Sequence, residues 1–336
     1  MPLSVNVTFH PSQFPESVRR DLLISLRTRK VNHKFHYDSV KQTHKWLALH
    51  EAYSPSRTDK DCARTYDRAF LEAKRRIKAK ALNLIGLGCG GGQKDARLLN
   101  LLQAPRRQLW YTPCDVSAAM VLTARRAALK AIGSENCFPM VCDLATASNL
   151  PVNFEKLDSS HARTSGYSRL FTFFGMIPNF EPEVILPRLA ALLRPTDLLL
   201  FSANLAPGPD YAAGTRKILP LYDNLLTHDW LMTFLLDLGV EKRDGRLQFL
   251  VEDMPSGLKR IAAYHTFSRL RTLVVDGKEF TFRPGDSIRL FFSYRHTPAL
   301  VTRLLAKHGV EVLDQWITTS EEEGVFLCGR DTTLST

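Results

Sequence analysis

No apolar run in this chain approaches the ~18 to 20 residues that a membrane-spanning helix needs. The nearest candidates, residues 189–193 and 198–201, are short and are parted by Arg194 and Asp197. No basic stretch leads into an apolar one after Met1-Pro2-Leu3, so neither a secretory leader nor a membrane partner is expected. None of the six cysteines, Cys62, Cys89, Cys114, Cys137, Cys142 and Cys328, stands in a Cys-x-x-Cys pair. That argues against a zinc ribbon or a redox dithiol and predicts reduced, mostly buried thiols in a cytoplasmic protein. A His33-x-x-His36 pair finds no further ligands, so surface histidines and no bound metal are expected. Internal repeats and low-complexity tracts are absent too.

What is present suits a globular chain: 336 residues, 44% hydrophobic and 24% charged. The length suffices for one large α/β domain, or for a catalytic domain with a smaller companion. The formal net charge is +11, a field that can attract nucleic acid, acidic membrane or an anionic small molecule. The basic residues fall in short scattered groups, among them Arg19-Arg20, Arg106-Arg107 and Arg125-Arg126, with no aromatic-interleaved stripe. Such groups predict solvated helix faces rather than a nucleic-acid surface. The expected partner is a small molecule, and the expected state a monomer.

Residues 1–75 read as an N-terminal helical cap, with loops around Pro11, Pro15 and Tyr53-Ser54-Pro55-Ser56-Arg57. Between residues 76 and 205, apolar runs at 81–87, 108–114, 137–142, 170–174 and 197–203 alternate with helical stretches. That is the pattern of βαβ units in a parallel sheet. After Asn204 the alternation stops. Residues 206–285 mix a helical part, 217–238, with strand-like runs, and Asp276-Gly277 between apolar runs is a hairpin signal. This segment reads as an inserted lobe. Residues 286–336 return to the sheet pattern, with a strand at 287–294, a helix at 298–308 and an edge pair at 310–316 and 324–328. The predicted fold is α/β: a doubly wound, Rossmann-like sheet with an N-terminal helical cap and an inserted second lobe.

The first run opens into Gly86-Leu87-Gly88-Cys89-Gly90-Gly91-Gly92. Glycines here let backbone approach a ligand and supply positive φ where the strand turns into a helix. The helix start then offers N–H groups to an anion, such as the carboxylate of S-adenosylmethionine (SAM). Gly86, Gly88 and Gly91 also fit the dinucleotide fingerprint, while the Gly-Lys-Ser/Thr ending of a phosphate-binding loop is missing. Asp115 ends the second run, where a carboxylate can accept from both ribose hydroxyls; a helix-capping role is the alternative. Asp143 ends the third, where it can accept from an adenine amino group or serve a turn. Three such features at successive strand ends fall on the carboxyl edge of the sheet, where open α/β sheets bind ligands.

Several motifs extend this pattern: Phe35-His36-Tyr37-Asp38, Tyr53-Ser54-Pro55-Ser56-Arg57, Leu87-Gly88-Cys89-Gly90-Gly91-Gly92-Gln93-Lys94 and Tyr111-Thr112-Pro113-Cys114-Asp115-Val116-Ser117. Further on come Phe174-Gly175-Met176-Ile177-Pro178-Asn179-Phe180, Tyr222-Asp223 and Ile288-Arg289-Leu290-Phe291-Phe292-Ser293-Tyr294. In order and spacing the chain resembles the histidine-specific Nα-methyltransferase family. Its type is the ergothioneine-pathway enzyme that trimethylates the α-amine of histidine, and dimethylallyltryptophan N-methyltransferases are relatives. The resemblance implies that Gly88, Gly90 and Lys94 hold the SAM methionine end, Asp115 the ribose and Asp143 the adenine, with Leu144 beside it. Tyr53 would close over the site. Asn179 and Tyr222, next to Gly175, would bind the substrate α-carboxylate, and Tyr37 and Ser293 would face the substrate.

The departures are specific. Phe291 stands where the histidine enzymes carry a Glu that contacts imidazole. The loop from Gly175 to Asn179 is one residue shorter, and Leu144 replaces a Phe. An amino-acid or amine N-methyltransferase that does not favour histidine is therefore expected, with no dedicated strong base. The competing readings are a nucleic-acid methyltransferase, which lacks an Asn-Pro-Pro-Tyr-like motif, a dinucleotide oxidoreductase, and a non-catalytic SAM-binding protein of the same fold.

Overall fold

The computed structural model describes residues 4–161 and 166–331. The chain runs through β1 (Thr8–Phe9), α1 (Pro15–Thr28), α2 (Val40–Tyr53), the single turn α3 (Pro55–Thr58) and α4 (Lys60–Arg76). It then alternates β2 (Ala81–Leu87), α5 (Gln93–Leu102), β3 (Gln108–Asp115), α6 (Ala118–Ala128), β4 (Met140–Val141), α7 (Leu150–His161), β5 (Ser168–Phe173), α8 (Pro182–Leu192) and β6 (Leu198–Asn204). A second group follows: α9 (Tyr211–Ile218), α10 (Leu225–Asp237), β7 (Gly245–Asp253), β8 (Lys259–Phe267), β9 (Arg271–Val275), β10 (Lys278–Phe282) and β11 (Ser287–Arg295). Last come α11 (Pro298–Ala306), β12 (Val310–Ile317) and β13 (Glu323–Arg330).

Eight strands form the main sheet in the order β1-β4-β3-β2-β5-β6-β13-β12. β1 to β6 pair in parallel, and β13 runs antiparallel to both β6 and β12. β2 is buried along its whole length, as a central strand covered on both faces must be. Leu82 and Leu84 face Phe70, Leu98 and Leu99 on one side, while Ile85 and Leu87 face Phe154, Phe171 and Ile185 on the other. The strand order reverses at β2, which puts the topological switch point at its carboxyl end. No helix among the described residues is long and apolar enough to cross a membrane. The six cysteines are free thiols, all buried but Cys89.

The second sheet has the order β11-β8-β7, all antiparallel. Beside it stands the hairpin of β9 and β10, whose turn residues Asp276 and Gly277 both adopt positive φ, 61° and 70°, as a two-residue hairpin loop requires. Four expectations need correction. First, the strand near 287–294 does not rejoin the main sheet, since β11 pairs with β8; the lobe extends to Arg295. Second, the N-terminal segment is not a separate cap. Leu26, Val31 and Phe35 share one core with Trp230, Phe234, Phe267 and Leu290, α4 packs on the main sheet through Tyr66 and Phe70, and β1 adds an edge strand. Third, the helical part at 217–238 is broken between α9 and α10, where Pro220 lacks an N–H and Asn224 caps the second helix. Fourth, β4 shrinks to two residues, because Pro139 cannot donate to the ladder that Cys137 begins with Tyr111.

Candidate active site

The turn after β2 carries positive φ at Gly88 (67°), Gly90 (51°) and Gly92 (72°). The N–H groups of Gly88 and Cys89 both donate to the Cys114 carbonyl, which ties the turn to β3. A side chain at Gly92 would place Cβ 2.5 Å from Cα of Ala124, so glycine is what lets α5 approach α6. Asp115 closes this turn from the next strand. Its Oδ2 accepts from the Gly90 N–H at 3.1 Å, and its Oδ1 from the Ser117 N–H at 3.1 Å. Ser117 caps α6 by accepting from Met120, which leaves the Asp115 carboxylate with spare acceptor capacity. Burial pushes its pKa up to about 6 against the pull of those backbone donors.

Asp143 is 3% exposed. Its Oδ1 accepts from the Ala145 N–H, while its Oδ2 is buried without a hydrogen-bond partner. Lys34 lies 3.6 Å from that oxygen and bonds Asp21 at 2.6 Å and Gln13 at 3.3 Å. With Lys34 as its counter-charge, Oδ2 still lacks a hydrogen-bond donor of its own, a role that an adenine amino group would fill. Leu144 packs into the apolar layer with Leu150 and Phe154. Tyr53 ends α2 with 55% of its surface exposed. Lys94 is held in place near the start of α5. Its Nζ donates to the Tyr66 hydroxyl at 2.8 Å, lies over the Tyr66 ring and stands 3.8 Å from Glu323.

The residues expected to face a substrate gather where the lobe meets this edge. Tyr37 packs against Trp46 and Trp230, with ring centroids 5.8 and 5.4 Å away. Burial, then the charges of Asp115 and Tyr222, raise its pKa. Trp46 lies against the glycine turn, its ring 3.2 Å from where a Gly90 Cβ would be. Phe291 has ring neighbours His33 at 5.4 Å, Trp230 at 5.6 Å and Tyr222 at 6.1 Å. The Tyr222 hydroxyl bonds Ser293 Oγ at 2.8 Å and accepts from Arg295 at 2.7 Å. A bulge interrupts β11 between Arg289 and Phe291; beyond it, Phe291, Ser293 and Arg295 share one face, as strand periodicity requires. Asn179, in a short turn after β5, donates to the Phe292 carbonyl at 2.8 Å. Gly175 adopts φ 66° and donates to Ser202 Oγ.

Three features escaped sequence reasoning. Asp95, buried under the glycine turn, accepts from Tyr111 at 2.6 Å and Thr172 at 2.8 Å, joining α5 to β3 and β5. Burial raises its pKa to about 6. His36 is not on the surface, and His33 is half-buried. His36 is fully buried with Nε2 2.6 Å from the Leu290 carbonyl, and burial pushes its pKa down to about 4. His33 is hydrogen-bonded to the Tyr37 hydroxyl at 3.0 Å, and burial followed by His36 holds its pKa well below 6.5. The third is Arg295. The only sequence signal for these was an ionisable group beside an apolar run.

A model of the family described as "Histidine-specific methyltransferase, SAM-dependent" matches residues 16–220, well over half of the chain. The N-methyltransferase fsqC of Aspergillus fumigatus is 24% identical over 247 residues, covering 72% of this chain and 64% of that protein. This chain therefore aligns with less than two thirds of that relative. The histidine N-alpha-methyltransferase of Mycolicibacterium smegmatis is 25% identical over 334 residues, covering 94% and 95%. Among solved structures, the SAH-bound magnesium protoporphyrin IX methyltransferase ChlM from Synechocystis PCC 6803 has a TM-score of 0.48 and 13% identity, covering 88% of this chain and 97% of that one. On the family match, the chain belongs to the histidine-specific methyltransferases and is a SAM-dependent methyltransferase.

Proposed function

We propose that the enzyme methylates the amine nitrogen of an amino acid or amino-acid-derived small molecule with an aromatic or apolar side chain, and that histidine is a poor substrate. The observation that carries this is Phe291. It stands on the Ser293 face of β11, among the rings of His33, Tyr222 and Trp230. An imidazole there would meet an apolar ring and leave a polar group unsatisfied, at about 1 to 3 kcal/mol. An aromatic side chain would gain burial and ring contact, worth about 0.5 to 1.5 kcal/mol beyond area.

When bound, SAM supplies a methyl group on a sulfonium. Gly88, Gly90 and Lys94 would hold its methionine end, Asp115 the ribose hydroxyls, and Asp143 Oδ2 the adenine amino group. Tyr37, Asn179 and Tyr222 would orient the substrate, with the Tyr222–Ser293 hydroxyl pair and the second N–H of the Asn179 amide facing its carboxylate. The substrate amine needs only to lose its proton and be aligned, so positioning supplies most of the rate. Methyl transfer to histidine, tryptophan, tyrosine and leucine, in wild type and Phe291→Glu, tests the proposal. Wild type should favour an aromatic or apolar amino acid, and the variant should shift towards histidine. A wild type that prefers histidine overturns the pocket argument.

A further inference from the structure

We propose that Arg295 is a positioning residue that makes the pocket select for a free carboxylate, so that an amino acid is taken and its decarboxylated amine is not. The inference rests on the amino-acid reading of the pocket given above. Arg295 is 6% exposed. Its Nη1 donates to the Leu205 carbonyl at 3.3 Å, its Nη2 donates to the Tyr222 hydroxyl at 2.7 Å, and its Nε is buried with no partner. No carboxylate of the described residues forms an ion pair with it. Three other buried cations are paired, Lys34 with Asp21, Arg169 with Asp158 and Arg260 with Glu252; Arg289, buried over the Phe292 ring, shares with Arg295 the lack of an ion pair among the described residues. A buried charge without a counter-charge is costly unless a ligand supplies one.

The hydrogen-bond polarity leads to the same ligand. A guanidinium only donates, so the Tyr222 oxygen accepts from Arg295. Tyr222 and Ser293 then share one bond between two hydroxyls. Whichever of them donates, the other keeps a proton with no acceptor among the described residues. The chain that begins at Arg295 therefore ends in an O–H donor beside Phe291, and the net charge behind it is positive. An anionic acceptor satisfies both. The amine of the same substrate would then be fixed relative to Tyr37 by its carboxylate anchor.

The experiment compares L-tryptophan with tryptamine and L-leucine with 3-methylbutylamine, as methyl acceptors and as ligands of the S-adenosylhomocysteine complex in calorimetry. Wild type should favour each amino acid over its amine. Arg295→Gln should weaken amino-acid binding about 10- to 100-fold, the size of a lost charge-assisted bond, while leaving amine binding within about threefold. Arg295→Lys should restore part of the discrimination, and Tyr222→Phe should reduce it with Arg295 still present. A purely structural role would move amino acid and amine alike, and that result overturns the inference. So does a wild type that treats both alike. Failure of wild type to methylate any amino acid or amine would instead refute the amino-acid reading itself.

Discussion

Replacing Asp115 by Asn tests the cofactor site with a nearly isosteric change. In the wild type both carboxylate oxygens accept from backbone, Oδ2 from Gly90 and Oδ1 from Ser117. The same oxygens would accept the ribose hydroxyls. An amide keeps one acceptor and turns a donor towards one of those N–H groups. The loss is one charge-assisted hydrogen bond or more, about 1.5 to 3 kcal/mol, or about 10- to 150-fold in SAM affinity. The pH dependence adds a second signature. Burial raises the Asp115 pKa to about 6, so the anion that accepts from ribose is present above that value and is lost as pH falls through it. SAM affinity should be flat above about pH 7 and should fall below pH 6, by at most about tenfold per unit. Asn does not titrate, so the variant should lack this inflection. Calorimetric titration of SAM from pH 5 to pH 8, with circular dichroism to establish folding, measures both. An unchanged affinity in the folded variant would refute the assignment of Asp115 to the ribose.

Lys34→Met should destabilise the fold by about 3 to 5 kcal/mol, because Asp21 and Asp143 then lose their buried counter-charge. Urea unfolding reads this, and a change under about 1 kcal/mol would contradict it. Methyl transfer should accelerate with pH towards the substrate amine's own pKa, since burial keeps His33 neutral and no strong base is assigned; a bell centred near pH ~6.5, where an unperturbed histidine titrates, would count against that.

Much of the fold around the candidate site was readable because its signals are local. A continuous apolar strand, a glycine turn and two strand-end aspartates lie within one stretch of chain. The Asp276-Gly277 hairpin needs only two residues with positive φ. What failed was non-local. The apolar run of β11 suits either sheet, and only its pairing with β8 decides which. His36 looked exposed because its partner, the Leu290 carbonyl, lies 254 residues away. Lys34 was one of several scattered cations until the fold brought Asp143 beside it. Arg295 carried no signal of its own, because its partners, the Leu205 carbonyl and the Tyr222 hydroxyl, lie 90 and 73 residues away.

The proposed reaction is methyl transfer to the amine of an aromatic or apolar amino acid. Incubating the enzyme with methyl-13C-labelled SAM and the amino-acid panel, followed by NMR of the products, tests it most directly. The labelled methyl group should appear on the α-amine nitrogen of tryptophan, tyrosine or leucine in preference to histidine. Label on an oxygen or carbon atom, or faster transfer to histidine, would contradict it.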